Sequence, residues 1–102
     1  MIFLYTIKEV IMEIKQNTEA FYIGDRFEEA LAKLEFENTD YGMILTHTEV
    51  SEELKGQGVG RALVKYVVEI ARNEKFKLKL QCEYAQREFE KHPEYQDVLF
   101  TD

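Results

Sequence analysis

Lys55-Gly56-Gln57-Gly58-Val59-Gly60 sets three of the chain's five glycines at alternate positions, directly ahead of its best helical pattern. Leu63, Val67, Ile70 and Ala71 recur at i, i+4, i+7 and i+8, the apolar stripe of a helix over about residues 58–73. Glycine permits positive φ and exposes backbone to a ligand, and the free N–H groups at the start of a helix attract an anion. The run therefore reads as a diphosphate-gripping turn, with Lys55, Arg61 and Lys65 adding local positive charge. Taken without its neighbours it is equally a tight connection. There is no G-x-x-x-x-G-K-[ST] run, and a dinucleotide fingerprint needs glycine or alanine where Arg61 stands.

Working outward, short extended pieces precede the turn. Residues 13–16 and 20–23 flank the polar Asn17-Thr18 and read as a hairpin. Residues 29–37 alternate, with Ala30, Ala32, Leu34 and Phe36 on one face, which predicts a strand with one wet side, although Ala-Leu-Ala-Lys-Leu-Glu also suits a helix. Asn38-Thr39-Asp40 is a turn signal before an extended run over 41–50. Beyond the helix, where Glu69 and Arg72 form an i,i+3 pair, residues 76–82 alternate as a strand with Phe76, Leu78, Leu80 and Cys82 on one face. Residues 84–91 read as a short helix stopped before His92-Pro93, and 96–100 as a last edge strand. The expectation is an α+β fold in which two helices accompany a mostly antiparallel sheet of five or six strands.

The chain has 102 residues, enough for one domain and one core. Hydrophobic residues make up 45%, so the chain folds rather than staying disordered. A formal charge of -7 disfavours general attraction to nucleic acid or anionic membrane, so an anionic ligand is captured locally. One cysteine forms no internal disulfide and has no zinc-spaced companions, so no metal is expected and a reducing, cytoplasmic setting fits. Residues 1–11 are too short to span a bilayer. Lys8-Glu9-Val10 can be encoded by AAG-GAG-GTN, which reads as a bacterial ribosome-binding site just upstream of Met12. Residues 12–102 are thus expected to be the domain and 1–11 an upstream extension, the rival reading being an extra amphipathic strand.

The turn resembles the [RQ]-x-x-G-x-[GA] signature of the GNAT N-acetyltransferase superfamily, with Lys55 in place of the usual first residue. Together with His47-Thr48-Glu49-Val50, Cys82-Glu83-Tyr84 and Lys91-His92-Pro93-Glu94-Tyr95, it is similar to the small stand-alone GNAT-like proteins, from Met12 almost to the end. The resemblance implies acetyl-coenzyme A as cosubstrate, with pantetheine along Glu49 and Val50 and the pyrophosphate on Lys55, Gly56, Gln57, Gly58, Val59, Gly60 and Arg61. It also implies strands that splay apart near Val50 and Cys82. Leu80 stands where the subfamily often has proline.

Under that resemblance three residues are candidates for catalysis. Cys82 falls where the strands part and is either a covalent acetyl carrier or a small core residue. His47 is either a base, its unperturbed pKa lying near neutrality, or a histidine bonded within the sheet. Tyr84 either protonates the departing thiolate or makes an aromatic contact at a helix start. The leading reading is acetyl transfer to an unidentified amine, directly or through acetyl-Cys82. The alternatives are a coenzyme-A-binding or sensing module without efficient turnover, and an interaction domain whose glycines only turn the chain.

Overall fold

The computed structural model describes residues 3–7 and 10–101. The elements, in order, are β1 (Phe3–Ile7), β2 (Val10–Gln16), β3 (Ala20–Ile23), β4 (Ala32–Asn38), β5 (Gly42–Val50), α1 (Val59–Glu74), β6 (Lys77–Leu80) and α2 (Glu83–Lys91). Short 3-10 turns cover Phe27–Glu29, Glu52–Leu54 and Pro93–Val98. Strands β2 to β6 make a five-stranded mixed sheet, and β1 extends it along the outer edge of β2, giving the spatial order β1-β2-β3-β4-β5-β6. Every neighbouring pair is antiparallel except β5 with β6, which α1 joins as a parallel crossover. The α+β expectation holds, with two α-helices. No helix among the described residues is long and apolar enough to cross a membrane.

The hairpins follow from their turn residues. The Asn17 side chain accepts the N–H groups of Glu19 and Ala20 at 2.7 and 2.8 Å, closing the β2–β3 turn. At the next turn Thr39 Oγ1 accepts the Gly42 N–H at 3.1 Å. Gly42 has φ +149°, and a Cβ there would collide with the Lys77 backbone of β6, so only glycine lets the two strands meet. Alternation then places Ala32, Leu34 and Phe36 of β4 on the inner face with Phe21 of β3. Helix α1 covers that face with Leu63, Val64, Val67, Val68 and Ala71, and Tyr66 meets Phe21 edge-on at 5.6 Å. Ile70, assigned above to the buried stripe, is half-buried at its border.

Four local expectations are corrected. Strand β4, expected over 29–37, starts at Ala32, because Phe27–Glu29 forms a 3-10 turn and the Leu31 N–H donates to the Ile23 carbonyl only as the strand begins. Strand β6 ends at Leu80, and Cys82 is the N-cap of α2 instead of a strand residue. Arg72 pairs with Asp97 by two hydrogen bonds of 2.7 Å and with the Glu94 carbonyl, since a bidentate fork outcompetes an i,i+3 contact with Glu69. The final edge strand is the 3-10 turn Pro93–Val98, which buries Tyr95 and Val98, with one isolated bridge from Leu99 to Leu78.

Candidate active site

Strand β5 changes character halfway along. Its pairing with β4 runs Asn38↔Met43, Glu37↔Ile44 and Phe36↔Leu45, then resumes at Glu35↔His47, which leaves Thr46 as an extra residue in a β-bulge. Before the bulge Met43 and Leu45 face the core; after it the inward positions are Thr48 and Val50, while His47 and Glu49 face solvent. The parallel pairing with β6 also stops here, at Leu45↔Leu80. The Leu45 carbonyl accepts the last two links, from the N–H groups of Gln81 at 3.0 Å and Cys82 at 2.9 Å. Past that point the β6-side edge of β5 has no strand partner, which is the expected splay between the strands near Val50 and Cys82.

The glycine run lies beyond the open end. After the 3-10 turn Glu52–Leu54, Gly56 and Gly58 both take φ +79°, and Gly58 is the N-cap of α1. A Cβ on either would meet nothing within 4 Å, so open space faces the turn and positive φ alone calls for glycine there. The first helical bond runs from the Ala62 N–H to the Gly58 carbonyl at 3.0 Å, leaving the N–H groups of Val59, Gly60 and Arg61 ahead of the ladder. No acidic residue stands in that first turn. Gln57 Nε2 donates to the Glu53 carbonyl at 3.0 Å, and Lys55 Nζ pairs with Glu52 at 2.8 Å, so Lys55 is engaged by its own loop.

Gly60 has a different reason. A Cβ on it would come within 2.9 Å of the Tyr84 hydroxyl, so its absence lets the phenol rest on the first turn of α1. Tyr84 is half-buried, and burial first, then the Glu88 carboxylate, push its phenol above the ordinary range; Arg61 and Arg87 oppose this. Cys82, one helical start earlier, is buried, and its Sγ lies 3.2 Å from Thr48 Oγ1, the residue that the bulge turned inward. Cys82, Tyr84 and the glycine turn are therefore neighbours.

His47 is separated from them. Its ring is 56% exposed on the uncovered face of the sheet, 3.6 Å from Glu49, which also receives Lys33 at 3.4 Å. Lys33 and then His47 hold the Glu49 carboxyl below its usual range. Because Thr48 carries the contact to Cys82, its neighbour His47 points the other way. Glu49 shares that outer face, and Val50 packs inward at the mouth of the splay.

Sequence reading missed the bulge, Thr48 and Glu88. Among the described residues two buried side-chain oxygens lack a hydrogen-bond partner: Ser51 Oγ, just past β5, and Glu88 Oε1, on α2. Glu88 is visible as a charged position one turn after Tyr84, but nothing in the pattern marks it as buried. No group of three or more His, Cys, Asp or Glu that could hold a metal occurs among the described residues.

An α/β crossover opening beside a glycine turn, on a mostly antiparallel sheet, defines the N-acetyltransferase class of acyltransferases. Residues 20–98 match the model of the family described as GCN5-related N-acetyl-transferase, and the chain belongs to that family. It is also similar to the solution structure of a Staphylococcus aureus protein classed as a GCN5-like N-acetyltransferase: 44% identity, 88% of this chain and 89% of that chain covered, TM-score 0.72. No curated protein matches the chain.

Proposed function

We propose that this protein binds acetyl-coenzyme A between the parted ends of β5 and β6 and transfers its acetyl group to an amine. The observation that carries this reading is the unpartnered edge of β5 after Leu45, lying beside a turn whose two positive-φ glycines face open space. The edge offers β5 backbone to the amide groups of a pantetheine arm, alongside Glu49 and Val50. The turn 56–61 offers N–H groups and Arg61 to the pyrophosphate.

At the thioester end the residues divide the work. The Cys82 sulfur attacks the acetyl carbonyl, its proton passing to solvent by way of the Thr48 hydroxyl; a sulfur–carbon bond forms to the acetyl group and the thioester bond breaks. In this scheme the first N–H groups of α2 take up the charge that the carbonyl oxygen gains. Tyr84, its phenol raised above the ordinary range by burial, gives its proton to the departing thiolate. The amine nitrogen then attacks the acetyl-Cys82 carbonyl, the sulfur–carbon bond breaks to release the Cys82 thiolate, and the proton the nitrogen loses returns to the Tyr84 phenolate.

His47 takes no part at Cys82 in this scheme, because it lies across the sheet. That same observation favours a second reading, a coenzyme-A-binding module with slow turnover, since it leaves Cys82 without an adjacent base. Intact mass after incubation with acetyl-coenzyme A separates them. The mechanism predicts a gain of one acetyl group that disappears in Cys82→Ser; unchanged labelling in that variant rules out the covalent route, and saturable binding without labelling supports the second reading.

A further inference from the structure

The opening between β5 and β6 is a wedge with a closed end. At that end the Leu45 carbonyl accepts the N–H groups of both Gln81 and Cys82, at 3.0 and 2.9 Å, and the Leu45 side chain is fully buried. Just beyond it the side chains that meet across the wedge are Thr48 and Cys82, and they already touch, Oγ1 to Sγ at 3.2 Å. Cys82 is 7% exposed, and Leu80 and Val50 pack on the same core cluster that includes it. Thr48 borders the sulfur because of the bulge. Alternation from Leu45 would bring His47 and Glu49 inward; the extra residue at Thr46 brings in Thr48 and Val50 instead.

We propose that Thr48 is a specificity-determining residue that limits the acyl group of the thioester to acetyl. This rests on the coenzyme A reading above and adds which thioester the site takes. With the pantetheine arm along the unpartnered edge of β5, the mouth of the wedge is taken, and the acyl tail points the other way, at Leu45 and Thr48. Each methylene added to the tail runs toward backbone held by two hydrogen bonds and toward a side chain already in contact with the sulfur. Close-packed protein admits such additions only by shifting side chains and backbone. In a close-fitting pocket one methylene changes specificity by about 10–200-fold.

The test uses the full chain as wild type, Thr48→Ala, which removes bulk beside the sulfur, and Thr48→Val, which keeps the bulk and removes the hydroxyl. Acetyl- and propionyl-coenzyme A are compared by the initial rate at which each labels Cys82, from intact mass, and by affinity from calorimetry. Each readout is taken as the acetyl-to-propionyl ratio within one protein, so a general slowing from the lost hydroxyl cancels, and the affinity ratio decides where turnover is slow. Wild type is expected to favour acetyl by about tenfold or more, Thr48→Val to keep that preference, and Thr48→Ala to reduce it to about threefold or less. Equal use of the two thioesters by wild type, or an unchanged ratio in a cooperatively folded Thr48→Ala, overturns the proposal while leaving the coenzyme A reading in place. Wild type that binds neither thioester overturns both.

Discussion

The two halves of β5 are built from one strand and do opposite things. From Gly42 to Leu45 the strand is paired on both edges, with β4 and β6, and its inward side chains are sealed in the core. From Thr46 onward it keeps β4, loses β6, and reverses which residues face inward. The closed half anchors the fold and the open half leaves one backbone edge without a strand partner. One extra residue at Thr46 and one carbonyl at Leu45 mark the change, so the opening is made by register and not by a loop insertion.

The strongest way to break the comparison is to disturb the closed half. Gly42→Ala drives a methyl group into the Lys77 backbone from a φ that alanine avoids, and is expected to cost about 3 kcal/mol or more in denaturant unfolding. At Gly58, beside the open half, a Cβ meets nothing within 4 Å, so Gly58→Val chiefly strains its own φ. It is expected to cost about 1–2 kcal/mol and leave unfolding cooperative while abolishing coenzyme A binding by calorimetry; retained affinity would show that the turn is not the pyrophosphate site. Gly60→Ala moves only the Tyr84 phenol, the far end of a side chain, so the expected cost is below about 1 kcal/mol, with acetyl transfer rate falling more than affinity.

The smallest effect belongs to the periphery. The Arg72 guanidinium holds the Asp97 carboxyl below its usual range. The pair's stabilisation is then fully present above the ordinary aspartate value and is lost as pH falls through the lowered folded value. Arg72→Ala should therefore be slightly less stable than wild type at neutral pH, and the gap should close in acid; a gap that widens in acid would contradict the pairing.

Much of this was legible in residues whose pattern is local. Asn17 and Asn38-Thr39-Asp40 signalled their turns, and the spacing of Leu63, Val67 and Ala71 placed α1 within a residue or two. The glycine turn was legible because Gly56 and Gly58 require positive φ. Gly60 was counted with them, yet its reason is the Tyr84 phenol on another helix, which no local pattern contains. The 96–100 segment was read as a last edge strand, and lost to the 3-10 turn that Pro93 starts and that buries Tyr95 and Val98. For His47 the sequence left two roles open, and only the register of β4, in which Thr46 shifts the count, reveals that it stands on the outer face beside Glu49. The burial of Glu88 was likewise invisible, because a Glu among Gln86, Arg87, Glu90 and Lys91 reads as a solvated face.

A cleft of about 740 Å³ lies elsewhere, lined by Gln16, Asn17, Thr18 and the C-terminal half of α1 from Tyr66 to Glu74. Neither the glycine turn nor Cys82 borders it. It supplies the internal rival for the central claim. Backbone amide NMR during titration with acetyl-coenzyme A tests that claim most directly. The account predicts saturable shifts at residues 46–51, 56–62 and 82–84, with residues 42–44 and 16–18 unmoved; shifts confined to residues 16–18 and 66–74, or none at all, would contradict it.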